Sequence, residues 1–140
     1  MNSKITTSGF RSRPNNHRVI FISHSSIDNA FALRLTQDIG TNGNTIWIDD
    51  QQINPGSIWL NEINQGIEKC DFMLLIWSEN AKNSEHVNLE YTSAMVARKS
   101  IIPLMIDDVD LPIILRRVRG INFKADYNQG LQELKRALEN

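Results

Sequence analysis

The chain is poor in the residues that would tie it to a disulfide framework, a metal or a membrane. Among 140 residues there is one cysteine, Cys70, so no internal disulfide can form, and no His/Cys cluster has metal-ligand spacing. Cys70 lies just before the apolar run Phe72–Trp77 and reads as a small buried hydrophobe. Long apolar runs are also missing. The longest, Phe72–Trp77 and Ile101–Ile106, span six residues each, whereas a membrane-crossing helix needs about 20. Residues 1–17 are polar and lack the apolar stretch of a secretory signal, so a cytoplasmic protein is expected. Phosphate-binding glycine loops are absent as well. Neither GxGxxG nor GxxxxGK[ST] occurs, and the segment 23–27 has no glycine to let backbone amides approach an anion. That disfavours flavin, dinucleotide-fold and nucleotide triphosphatase functions. Without a G-x-S-x-G elbow, a Ser–His–acid hydrolase is disfavoured too. Ser23-His24 and Trp77-Ser78-Glu79 lack the acidic pair and the phosphorylatable aspartate of a response-regulator receiver.

What is present suits one globular domain: 41% hydrophobic and 22% charged residues, in a length that can bury a core unaided. Charge is uneven. The formal net is −1, of which residues 1–18 carry +4 (Lys4, Arg11, Arg13, Arg18), so the remainder carries −5. Residues 1–17 read as a basic, polar, flexible leader, and 18–140 as the folded domain. An acidic domain argues against nucleic acid as its ligand. The Arg116-Arg117-Val118-Arg119 cluster reads as a solvated loop.

Short apolar runs alternate with amphipathic stretches. Val19–Ser23, Thr45–Ile48, Phe72–Trp77, Ile101–Ile106 and Gly120–Phe123 read as strands, with Pro103 placing the fourth towards an edge. Phe31, Leu35 and Ile39 mark a helix capped by Asp28 or Ser26 and broken by Asn42-Gly43. Trp59, Ile63 and Ile67 mark a second helix, with Pro55 at its first turn. Ser84 caps a third, whose core face is Val87, Tyr91, Ala94, Met95 and Arg98; Leu131, Leu134 and Leu138 mark the last. Strands alternating with helices predict an α/β, flavodoxin-like, doubly wound five-stranded parallel sheet, order 2-1-3-4-5, with helices on both faces. In that order a ligand crevice opens between strands one and three at their carboxyl ends, at Ser23-His24-Ser25 and Trp77-Ser78, with Asp49 alongside. On the third helix His86 and Glu90 are i, i+4 neighbours, near enough to the helix start to face that crevice.

Three segments carry a family resemblance that covers roughly residues 18–138. Phe21-Ile22-Ser23-His24 resembles the first box of Toll/interleukin receptor (TIR) domains, with His24 in place of the usual aromatic. Trp47-Ile48-Asp49 through Pro55-Gly56 resembles their second strand and BB loop. Ser78 followed by Ser84-x5-Glu90 resembles their third segment. Enzymatic members often carry tryptophan four residues before the glutamate, where this chain has His86.

Many bacterial members cleave NAD+, so the resemblance implies NAD+ as substrate with no cofactor. Glu90 is the implied catalytic carboxylate, placed against the oxocarbenium-like ribose. Ser23, His24, Ser25, Asp49, Ser84 and His86 line the implied substrate site, with Trp47 or Trp59 as a stacking surface. The products are nicotinamide with ADP-ribose or a cyclic ADP-ribose. Self-association through the BB loop (Asp50, Gln51, Gln52, Ile53, Asn54, Pro55, Gly56), or an activating partner, completes the pocket, as in anti-phage signalling. Two other readings stay open: a non-enzymatic adaptor that assembles through the same loop, and a nucleoside deoxyribosyltransferase-like enzyme.

Overall fold

A computed structural model describes residues 17–40, 43–48 and 61–139, with the backbone alone at 61 and 62. Residues 1–16 of the leader, Asn42, Asp49, Asp50, the segment 51–56 and Trp59 therefore lie outside the described residues. The elements are β1 (Val19–Ser23), α1 (Asn29–Ile39), β2 (Thr45–Ile48), α2 (Asn61–Lys69), β3 (Phe72–Trp77), α3 (Glu79–Lys82), α4 (Glu85–Val96), β4 (Ser100–Met105), β5 (Ile121–Asn122) and α5 (Tyr127–Glu139). Short 3-10 turns cover Ser26–Asp28 and Ile113–Leu115.

The strands form one parallel sheet in the order β2-β1-β3-β4-β5, as the alternation of elements predicts. Strand alternation sends successive side chains to opposite layers. Val19, Phe21, Met73, Leu75 and Trp77 pack under α2 (Ile63, Ile67) and α4 (Val87, Tyr91, Ala94). Ile20, Ile22, Leu74, Ile76 and Leu104 pack under α1 (Ala32, Leu35, Ile39) and α5 (Leu134, Leu138). Continuous apolar strands are thus buried on both faces, which is what a doubly wound sheet requires. Cys70 is buried and its thiol donates to the Ile67 carbonyl at 3.1 Å. Burial pushes its pKa up to about 11.

The structure refines several sequence expectations. β4 begins at Ser100, and Ile106 extends its pairing by donating to the Trp77 carbonyl at 3.0 Å. Since Ile106 turns its N–H towards β3, alternation turns the nitrogen of Pro103 the other way. There β5 pairs only with Leu104 and Met105, so Pro103 removes no bond from the β3–β4 ladder although its strand is interior. Asp28 precedes α1 without capping it by its side chain; Ser25 caps the 3-10 turn instead, accepting from the Ile27 N–H at 3.2 Å.

Arg98 is corrected from core to surface. The periodicity runs past the true end of α4, where Arg98 is exposed with φ 61°. The Lys99 N–H reaches the Ala94 carbonyl at 2.9 Å and the Arg98 N–H reaches that of Met95 at 3.0 Å, which is a Schellman closure. A non-glycine residue in the left-handed region costs about 1–2 kcal/mol. Arg98→Gly is expected to raise stability by about 1 kcal/mol net of the entropy that glycine adds to the unfolded chain. A urea-unfolding midpoint that stays put or falls would refute this strain.

Candidate active site

α4 is the element that positions the site. Its start is set by Ser84, whose hydroxyl accepts from the Val87 N–H at 3.1 Å. Its seat is set by Val87, Tyr91 and Ala94 on the sheet, with the Tyr91 ring edge-on to Trp77 at 6.2 Å between centroids. The Tyr91 hydroxyl donates to Asn88 Oδ1 at 2.6 Å, and burial raises its pKa above the ordinary phenol value. Seated this way, α4 carries Glu90 over the carboxyl end of β1.

Glu90 is 0% exposed. Carboxylates are almost never enclosed without partners, because leaving water costs the charged form heavily. Here Ser23, the last residue of β1 on the α4-facing side, donates its hydroxyl to Glu90 Oε1 at 2.6 Å. His86, one turn back on α4, brings Nε2 to 3.2 Å from Glu90 Oε2. The His86 side chain is 14% exposed, against 0% for that of Glu90.

A second polar network ties the β1 loop to the end of β3. The Ser78 hydroxyl donates to Asp28 Oδ2 at 2.5 Å while accepting the Ala81 N–H at 3.0 Å, and Asn80 Nδ2 donates to Asp28 Oδ1 at 3.2 Å. The Asp28 N–H in turn donates to the Ser25 carbonyl at 2.9 Å. This clamp spans the point where the strand order reverses, and it holds the two strand ends that flank the crevice. Sequence reasoning took Asp28 for a helix cap and missed the clamp. Its one local signal is an aspartate ahead of an apolar stripe, which says nothing about Ser78.

The expected site residues fall into groups. Ser23, His86 and Glu90 come together. His24 is buried and faces α1, its Nε2 at 3.0 Å from Asn29 Oδ1. Ser25 is buried in its capping role. Ser84 borders the site as the cap of α4. Trp47 pairs in register with Phe21 and is partly buried, packed against the core beneath α2, where a Cβ on Gly66 would come within 2.8 Å of its ring. The part of the ring that meets Gly66 is thus spent on packing. Asp49 and Trp59 lie outside the described residues.

Chemically, the site is an enclosed carboxylate with one hydroxyl donor and one imidazole. It can stabilise a developing cation and hold hydroxyl groups. Among the described residues no three His, Cys, Asp or Glu side chains are arranged for a metal ion. No helix among them is long and apolar enough to cross a membrane.

The fold and site define a doubly wound parallel α/β domain with a glutamate buried at its topological switch point. The profile of the TIR domain family matches residues 20–135, and the chain belongs to that family. Over 92 residues it is 27% identical to the probable 2′ cyclic ADP-D-ribose synthase TcpO of Methanobrevibacter olleyae. That alignment takes in 63% of this chain and 27% of the relative, so the chain spans about a quarter of that protein. Among solved structures, the TIR domain of the Toll-related receptor TRR-2 from Hydra magnipapillata superposes with a TM-score of 0.73 at 14% identity, covering 86% of this chain and 98% of that one. The TIR domains of the activated Roq1 resistosome, which recognises the pathogen effector XopQ, give 0.69 at 15% identity, covering 86% and 98%. The CMP N-glycosidase BcmB of Clostridium botulinum gives 0.62 at 16% identity, covering 86% and 99%. At these identities the superpositions speak to the fold.

Proposed function

We propose that this TIR domain cleaves the nicotinamide–ribose bond of NAD+, with Glu90 as the catalytic carboxylate. The observation that carries the reading is the enclosed Glu90 carboxylate at the switch-point crevice, held by Ser23 at 2.6 Å. Nicotinamide leaves a cationic glycoside as a neutral molecule, so the reaction needs no general acid. Its difficult species is the ribosyl cation, and a preoriented carboxylate in a water-poor site stabilises that charge. The N-glycosidic activity named for BcmB and the cyclic ADP-ribose synthesis named for TcpO support chemistry at a ribosyl C1′. Capture by water yields ADP-ribose; capture within the same molecule yields a cyclic ADP-ribose. No cofactor is required. Since Glu90 is closed to solvent here, substrate entry requires the crevice to open. Self-association through residues 50–56, or an activating partner in a cytoplasmic immune-signalling pathway, supplies that step in our reading.

The test is NAD+ consumption by the purified protein at high concentration or with a crowding agent, with products separated by chromatography and identified by mass. Loss of NAD+ with release of nicotinamide is the expected result. No consumption while light scattering reports assembly would refute autonomous NAD+ cleavage and favour the adaptor reading. Activity on deoxynucleosides with none on NAD+ would favour a transferase.

A further inference from the structure

The outer face of α4 carries an apolar stripe that the fold leaves bare. Val87, Tyr91 and Ala94 seat the helix on the sheet. Glu85, Leu89, Thr92 and Val96, at helical spacing, line up on its solvent side and are all exposed. Leu89 is 46% exposed and Val96 79%. A lone exposed apolar residue is ordinary, but here two share one stripe and opposite charges end it. Glu85 stands at the helix start and Arg98 just past its end, both exposed. Among the described residues neither has an ion-pair partner. They cannot pair with each other, since at 1.5 Å per residue they stand about 20 Å apart.

We infer that this stripe docks α4 of a second copy, antiparallel about a two-fold axis near Thr92. The pattern is self-complementary in that arrangement alone. Leu89 of each copy meets Val96 of the other, and the Glu85 end of each meets the Arg98 end of the other. Antiparallel helices also oppose their dipoles favourably. Parallel pairing would set like charges together, and an anionic surface would meet Glu85. Two apolar side chains per copy make a small contact, so the association is weak and depends on concentration. It is additional to the contact through residues 50–56. Its effect on activity rests on the NAD+-cleaving reading above. Glu90 rides on the same helix and is enclosed in the unpaired chain. A pairing that favours the open crevice then raises turnover as the protein concentration rises, by linkage.

The test is sedimentation velocity on the full chain at concentrations up to about 1 mM, the range of weak transient contacts. Wild type is compared with Glu85→Lys, Arg98→Glu, the double reversal of both, and Leu89→Gln with Val96→Gln. The substituted side chains are exposed, so a thermal melt of each variant serves to confirm the fold. A wild-type dimer is expected, weakened about tenfold by either single reversal because two symmetry-related pairs turn repulsive. The double reversal is expected to restore it, since opposite charges then meet again across the antiparallel pair. The two glutamines are expected to abolish it. NAD+ turnover per protomer is expected to follow the dimer fraction through the series. A wild type that stays monomeric would leave the stripe to another occupant and overturn the inference. So would a dimer that ignores the single reversals, or one that the double reversal fails to restore. Turnover that ignores the dimer fraction would overturn the regulatory role. A chain that pairs as expected yet never consumes NAD+ would remove the NAD+ reading and leave the docking face standing. The two failures separate because sedimentation needs no substrate.

Discussion

Substituting glutamine for Glu90 is expected to cut NAD+ turnover by about 10²–10³-fold, the loss that follows removal of one well-placed electrostatic group. Stability should move the other way or not at all. The amide keeps the shape of the side chain and an oxygen for the Ser23 hydroxyl, now 2.6 Å from Oε1, while the enclosed charge disappears. Burying a charge is costly even when it is hydrogen-bonded, and active sites commonly hold such destabilising groups. Kinetics and a thermal melt on the same preparation therefore make the diagnosis together. Lost turnover with an equal or higher melting temperature marks a group retained for chemistry. Unchanged turnover would make Glu90 a structural carboxylate. The adaptor reading makes a contrasting prediction: signalling survives the loss of Glu90 and fails on substitution of Pro55 or Gly56.

Trp77→Ala is expected to cost about 3–5 kcal/mol, a large part of the stability of a domain this size. Trp77 closes β3, is 1% exposed, supports Tyr91 edge-on and donates its indole N–H to the Asp110 carbonyl at 3.1 Å. Truncation leaves a cavity under α4 and strips a partner from the loop that follows β4. A fall in melting temperature of about 10–20 °C is expected. Activity should fall further than the folded fraction does, because α4 carries Glu90 and His86 and depends on Trp77 and Tyr91 for its seat. A shift of only a few degrees would show that the sheet and α4 find an alternative packing.

Legibility in the sequence followed the distance between interacting residues. His86 and Glu90 share one helix at i, i+4, so their pairing is visible in the letters alone. The cap at Ser84 and the stripe Val87, Tyr91, Ala94 are local for the same reason. Arg98 misled because periodicity records which positions share a face and not where the helix stops. The stop is a backbone closure at Ala94, Met95 and a left-handed Arg98, which no glycine announces. Trp47 was open between core and ligand surface until Gly66 brought α2 down on its ring.

By itself the sequence determined the kind and order of the elements, and with them the doubly wound sheet and the position of its crevice. Those follow from apolar periodicity and from the few ways a buried parallel sheet can be connected. Only the tertiary structure decided what fills the crevice. The Ser23–Glu90 bond joins residues 67 apart, the Ser78–Asp28 bond residues 50 apart, and the Trp77–Asp110 bond residues 33 apart. Each depends on strand register and helix seating, which are set by the packing of the whole core and which no local pattern encodes.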